Sequence, residues 1–351
     1  MYVKKMYFLI RIYALVAIFF YTGFTSYAQL KGCPDPTAIN YDSSATINNG
    51  SCTYNEAFIK PALRTKLAAT VSETSGLMYW NKAVWTHNDS GGEPALYAMD
   101  STTGKVIKKV TVTNATNVDW EDLAQDDTYI YIGDFGNNAN GNRTDLKIYR
   151  VRKKDVRNKT SVTASVISFS YNDQKDFSGT GNNQTNFDCE AMIAYGDSLF
   201  LFSKDWTDNK TRLYKLPKKP GSYAAVNIGE WDVQGLITGA EIVPDKRVIV
   251  LSGYSASVSP FVCLLYDFTG NRFFDANKRK IPISQSFLQM EGICAVTDTK
   301  FYISNERFQQ LIIVTPAKLQ TIDLGSFLNP YYTKQQSGAV MAQYTSVTSM
   351  K

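Results

Sequence analysis

Asp119-Trp120-Glu121-Asp122-Leu123-Ala124 and, after a short polar gap, Ile130-Tyr131-Ile132-Gly133-Asp134 read as one hairpin, with an acidic opening to the first apolar run and a polar close to the second. The unit recurs. Glu73-Thr-Ser-Gly-Leu77 is followed by Val84-Trp-Thr-His-Asn-Asp89, and Glu190-Ala-Met-Ile193 by Leu199-Phe-Leu-Phe-Ser-Lys204. Glu241-Ile-Val-Pro244 is followed by Val248-Ile-Val-Leu-Ser-Gly253, and Glu291-Gly-Ile-Cys294 by Phe301-Tyr-Ile-Ser-Asn-Glu306. The five glutamates stand 48, 69, 51 and 50 residues apart. A period of about 50 residues with four strands per copy is the sequence signature of propeller blades.

Each copy continues alike, with a third apolar run at Ala95-Leu-Tyr-Ala-Met99, Leu146-Lys-Ile-Tyr149, Arg212-Leu-Tyr-Lys215, Val262-Cys-Leu-Leu-Tyr266 and Leu311-Ile-Ile-Val314. A more polar fourth run follows, as at 106–112 and 162–169, so each copy has two buried inner strands and two alternating outer ones. The interval of 69 contains a Gly/Asn-rich surface insertion at 172–186. Residues 63–71 read as an outer strand that completes the last blade from the other end of the chain, which removes a free sheet edge. The expected fold is an all-β, five-bladed β-propeller over 58–330. Six blades are the alternative if 317–327 adds a strand pair, and a polar, frayed tail is expected at 331–351.

In a blade the start of the first strand and the end of the second lie on the same face. One mouth of the ring should therefore gather Glu73, Glu121, Glu190, Glu241 and Glu291 with His87, Asn88, Asp89, Asp134, Asn137, Asn138, Lys204, Asp205, Ser252, Asn305, Glu306 and Arg307. Converging carboxylates repel, which a bound cation, a proton or neighbouring Lys204, Arg307 and His87 would relieve, and two readings of the glutamates follow. In one, a hard cation, calcium first, is held by Glu121, Glu190, Glu241 and Glu291. In the other, each glutamate caps backbone N–H groups of the next blade. Trp85, Trp120, Phe135 and Trp206 are candidate apolar contacts on this face. His87 is the single histidine, which excludes a histidine-ligated zinc site and leaves it only a lone acid–base role. No Gly-x-Ser-x-Gly elbow is present. Cys189 and Cys294, beside ring glutamates, are assigned to core packing.

The 351 residues, 44% hydrophobic with a mean hydropathy of −0.23, describe a globular chain and exclude a bundle of membrane helices. Lys4, Lys5 and Arg11, the apolar stretch 12–20 and Ser26-Tyr27-Ala28 read as a signal peptide over 1–28, so the expected location is extracellular or periplasmic with no membrane span in the mature chain. The formal charge of +5 includes those three basic residues, and no basic run with interleaved aromatics follows, which argues against a nucleic-acid partner. Residues 29–54 hold too few large apolar side chains for a core. In an oxidising compartment a Cys33–Cys52 disulfide is the natural closure, worth roughly 3 kcal/mol for a loop of this length.

That segment, Cys33-Pro-Asp-Pro-Thr-Ala-Ile-Asn-Tyr-Asp through Asn48-Asn49-Gly50-Ser51-Cys52, resembles the short cysteine-bounded modules of secreted bacterial proteins that are similar to thrombospondin type 3 calcium repeats. The resemblance implies calcium ligands among Asp35, Asn40, Asp42, Asn48 and Asn49. Asn48 and Asn49 stand where the family carries aspartates, so a disulfide-closed spacer is the other reading. The repeats, above all Asp119-Trp120-Glu121-Asp122-Leu123, Gly239-Ala240-Glu241 and Glu291-Gly292-Ile293 with Tyr302-Ile303-Ser304-Asn305-Glu306, resemble the SdiA-regulated family of bacterial propellers. More distantly they are similar to extracellular phytase-like and esterase-like propellers. The expectation is a secreted, calcium-stabilised propeller that binds a ligand or extracellular partner at its Glu-lined face. The alternative is a metal-dependent phosphoester or ester hydrolase at the same face, for which Lys204, Arg143 and Arg307 are the only candidate basic contacts.

Overall fold

The computed structural model describes residues 29–285, 289–310 and 313–335; the expected signal peptide and residues 336–351 of the expected tail lie outside it. The described chain is mostly β and follows a propeller plan of four-stranded antiparallel meanders. The first runs through Thr74–Trp80, Ala83–Asn88, Ala95–Met99 and Val106–Val112. The second uses Trp120–Gln125, Tyr129–Asp134, Lys147–Arg152 and Ser165–Tyr171. The third uses Cys189–Tyr195, Ser198–Ser203, Thr211–Pro217 and Gly221–Trp231. The fourth uses Leu236–Val243, Val248–Tyr254, Pro260–Tyr266 and Asn277–Pro282. The fifth uses Met290–Ala295, Lys300–Asn305 and Lys318–Asp323, and its outermost strand is Ala62–Lys66, from before the first meander.

Burial follows the sequence pattern. Second strands such as Ser198–Ser203 and Val248–Tyr254 are buried along their length, whereas Gly221–Trp231 alternates at the rim. The first strand of each meander touches the first strand of the next, and the fifth returns to the first. That contact is close. A methyl group on Gly76 would lie 2.5 Å from Leu123 N, one on Gly239 2.6 Å from Glu291 O, and one on Gly292 2.5 Å from Ser75 O. Asp122, wholly buried, ties three of these strands together by accepting from its neighbour Leu123 N, from Met192 N at 2.7 Å and from Ala240 N at 3.3 Å.

Two details of the fifth meander differ from expectation. Of the expected third strand 311–314, residues 311 and 312 lie outside the described residues; Phe308–Gln310 and Ile313–Thr315 pair with each other, and Lys318–Asp323 takes the place in the sheet. Leu319 and Ile322 supply the buried apolar groups that the position demands. Residues 317–327 accordingly form that strand and the start of a helix over 325–335, not an added strand pair. Tyr331 and Tyr332, expected in a frayed tail, are buried on this helix against Tyr266 and neighbouring core residues. Elsewhere the outer strands of the second and third meanders pair in parallel, which joins them into one eight-stranded sheet and covers two edges.

Residues 29–58 pack against the fourth meander. Cys33 and Cys52 are disulfide-bonded. Asp35 accepts hydrogen bonds from Tyr54 (2.9 Å) and from Tyr266 of the propeller (2.6 Å), and Asn48 Nδ2 donates to Asn277 Oδ1 at 2.6 Å. An aspartate at 48 could not make that donation. Asn40 closes a turn with Ser51 and Thr53, Asp42 with Ser44, and Asn49 with Ser51. All five candidate module ligands thus have hydrogen-bond partners within the module or on the propeller.

Because the inner strands leave no room for a side chain at Gly292, Gly292→Ala should lower unfolding stability by about 1–3 kcal/mol, read by denaturant titration. Gly179→Ala, where the nearest atom would be 3.8 Å away, is the matched control and should be nearly neutral. Equal stability of the two variants would contradict the packing.

Candidate functional site

Every inner strand opens with an irregularity. The antiparallel register slips between Thr74 and Leu77, Trp120 and Leu123, Cys189 and Ala191, Ile237 and Gly239, and Met290 and Gly292. A bulge re-aims the extra side chain out of the sheet, and the residues in that position are Ser75, Glu121, Glu190, Thr238 and Glu291. Ser75 Oγ bonds Glu121 O at 2.6 Å and Thr238 Oγ1 bonds Met290 O, so these two fasten their strand to the next meander. The three glutamates line an axial cavity of ≈ 240 Å³, rimmed by Asp89, Glu306, Asn138, Trp206, Tyr254 and two asparagines of the 172–186 insertion, Asn182 and Asn183.

The cavity is overwhelmingly acidic. Glu121 is 5% exposed and lines the cavity, and among the described residues no donor bonds its carboxylate. Its oxygens come within 4.8 Å of those of Asp89 and Asp119 on one side and of Asp188 and Glu190 on the other. Gly136 makes the space for this: a methyl there would meet Glu121 Oε1 at 2.1 Å and Asp119 Oδ2 at 2.4 Å. Among the described residues Lys204 is the one cation in the lining, and its Nζ lies 2.5 Å from both oxygens of Glu190. Asp188 is held by Asn137 N (2.7 Å) and Trp206 Nε1 (2.8 Å). Asp134 is clamped by Arg143 at 2.9 Å and lies behind the cavity.

The charges cannot all persist without a counter-ion. Two ionised carboxylates at such a separation repel by about 3 kcal/mol at an effective dielectric near 20. Burial and then neighbouring carboxylates push Asp119 up to about 7 and Glu306 up to about 7. Burial raises Glu291 to about 8 against the pull of Lys204, and Glu121 is raised by burial and then by Glu190, Asp89, Asp119 and Asp188. Burial opposes the charge of Lys204, but the Glu190 carboxylate outweighs it and holds the ammonium above its usual range. Burial also raises Glu190 above its ordinary range against the pull of Lys204, so the pairing of the two rests on the contact of Nζ with both carboxylate oxygens. The arrangement offers hard oxygen donors with one built-in cation, which suits a divalent ion.

Of the residues expected at the mouth, Asp89, Glu121, Asn138, Glu190, Lys204, Glu291 and Glu306 line the cavity together. Others do not. Glu241 stands three residues past its bulge and accepts from Ala295 N and Ile242 N, each at 3.0 Å, in a separate pocket beside Lys153. It does what the capping reading foresaw, and burial raises it to about 7. Glu73 is exposed outside the lining. His87 is wholly buried, edge-on to Trp120, and burial lowers it to about 4, which removes it from acid–base chemistry in the cavity. Asn305 is buried on Pro316 O, and Arg307 is exposed with its backbone N–H on Ser72 O. Trp85, Trp120 and Phe135 belong to the core; of the aromatic candidates only Trp206 lines the cavity.

Asp119 and Asp188 were missed. The signal was an Asp-x-Glu triplet, Asp119-Trp120-Glu121 and Asp188-Cys189-Glu190, in successive units.

No protein-family profile matches this sequence, and no curated protein does. Solved structures overlap it loosely. The PQQ-bound aldose sugar dehydrogenase of Streptomyces coelicolor is 10% identical over 76% of this chain and 99% of its own, with a TM-score of 0.43. A putative oxidoreductase (glucose dehydrogenase) of Thermus thermophilus is 7% identical over 75% and 99%, with a TM-score of 0.42. The WD40 repeats of RRP9 are 9% identical over 72% and 67%, with a TM-score of 0.36. Overlaps of this size carry no functional argument.

The raised carboxyls have a consequence for stability. They bind more protons folded than unfolded, so stability falls as pH rises from their ordinary values of 3.8 and 4.5 through about 7 to 8. His87 acts oppositely, but only between about 4 and its ordinary 6.5. With divalent ions chelated, the thermal midpoint should therefore drop between pH 6.5 and 8; a flat or rising midpoint over that window contradicts the buried acidic cluster.

Proposed function

We propose that this chain is an exported, five-bladed β-propeller that binds a divalent cation, calcium first, at its axial mouth and presents it to a small polar ligand or extracellular partner. One observation carries the reading: the carboxylate of Glu121, nearly wholly buried and without a hydrogen-bond donor among the described residues, belongs to both groups of acidic oxygens. Asp89 and Asp119 complete an oxygen-only donor set of the kind calcium takes in flexible geometry. Asn138, Asn182, Asn183 and Trp206 around the ion supply amide groups and an aromatic face for a ligand. Five blades follow if each meander is one blade with Ala62–Lys66 as the closing strand.

Export rests on the residues of 1–28 and on the Cys33–Cys52 disulfide, which persists in oxidising compartments. Among the described residues no helix is long and apolar enough to cross a membrane. A metal-dependent hydrolase at the same mouth gains no specific support, since His87 is outside the cavity and Lys204 is engaged by Glu190.

Calcium titration of the purified chain from residue 29, followed by thermal unfolding, tests the reading. At a hundredfold excess over Kd, calcium should stabilise the fold by about 2.7 kcal/mol. Glu121→Gln should abolish that gain, and Glu73→Gln should keep it. The absence of a calcium-linked shift in the unsubstituted chain, or an equal loss in both variants, would overturn it.

A further inference from the structure

Two groups of three carboxylates adjoin at the mouth and share Glu121: Asp89, Asp119 and Glu121 on one side, Glu121, Asp188 and Glu190 on the other. The second and third meanders build them in the same way. Asp119 O accepts from Phe135 N (3.1 Å) just as Asp188 O accepts from Lys204 N (3.0 Å), so Phe135 and Lys204 occupy matching places after the second strand. Their side chains diverge. Phe135 turns into the core, whereas the Lys204 Nζ sits 2.5 Å from both Glu190 oxygens, 4.7 Å from the Trp206 ring centre and 5.2 Å from that of Tyr254.

A carboxylate and two aromatic faces form a cage suited to an ammonium ion, and here the chain fills it with its own. The other group has no such occupant. Lys204 is taken up by Glu190 and Arg143 by Asp134 and Asp145, while Glu121 is nearly wholly buried and its carboxylate has no hydrogen-bond donor among the described residues. Gly136 keeps that side open.

We infer that Lys204 is a built-in occupant of one of two adjoining cation positions, so that the chain takes a single divalent hard cation, at Asp89, Asp119 and Glu121, where a two-ion centre would otherwise assemble. The inference rests on the cation-binding reading above and extends it to the number of ions and their place. Removing the ammonium should unmask the second position, with Glu121 as the shared ligand.

The test is calorimetric titration with calcium alone of the unsubstituted chain, Lys204→Ala and the double variant Lys204→Ala/Glu190→Gln, each checked by circular dichroism. Lys204→Ala should bind one more ion per chain than the unsubstituted protein, and the double variant should lose the extra ion. In chelator Lys204→Ala should be less stable than the unsubstituted protein and should recover with millimolar calcium. An unchanged stoichiometry overturns the inference, as does a Lys204→Ala chain that stays unfolded with calcium present, because a divalent ion is claimed to replace the ammonium. If the unsubstituted chain binds no calcium while Lys204→Ala binds one ion, the cation-binding reading of the natural protein fails and the masking by Lys204 stands.

Discussion

The close approach of the inner strands at the axis is the constraint on which the rest depends. Gly76, Gly239 and Gly292 are there because the neighbouring backbone occupies the space a side chain would need. Strands packed that tightly cannot run flat into one another, and each opens with a bulge that turns one side chain out of the sheet and toward the mouth. Asp122 holds the packing from within, as the common acceptor for backbone N–H groups of three strands. The acidic cavity is a consequence of this geometry: three of the turned-out side chains are glutamates, and the fold places all three, nearly wholly buried, in the wall of one cavity.

Much of the architecture was legible because it is written as periodicity. The paired apolar runs located the first and second strands of each meander, and 63–71 correctly suggested closure from the front of the chain, realised by Ala62–Lys66. The site was only half legible. Aligning the copies on glutamate placed Glu73 and Glu241 in the ring, although the residues that occupy the bulge in those units are Ser75 and Thr238. What repeats is a position, a polar residue followed by a small or acidic one and then an apolar one, not a residue type. Ser75-Gly76-Leu77 and Thr238-Gly239-Ala240 carry it as well as Glu291-Gly292-Ile293 does.

Other departures have local physical causes. The run 311–314 looked like a sheet strand by composition, but Lys318–Asp323 holds that place, and its Leu319 and Ile322 satisfy the core. His87, polar and singular, invited a functional role, yet its register on the second strand points it at Trp120. Asn48, which reads as a weakened calcium ligand, is a donor to Asn277 where the small module docks on the fourth meander. In each case a tertiary partner far away in sequence decides the role, and periodicity does not reveal such partners.

Acidic side chains in this fold thus divide by position. Asp122 and Glu241 are consumed by backbone N–H groups, Asp134 by Arg143 and Glu190 by Lys204, while Glu121 is grouped with Asp89 and Asp119 and has no hydrogen-bond donor on its carboxylate among the described residues. The most direct check is a crystal structure of the chain grown with calcium, with the ion located by anomalous scattering. The account requires one peak at the mouth, about 2.4 Å from oxygens of Glu121 and Asp119, with Lys204 still on Glu190. A mouth without a peak, or a peak found only at another site, would contradict it.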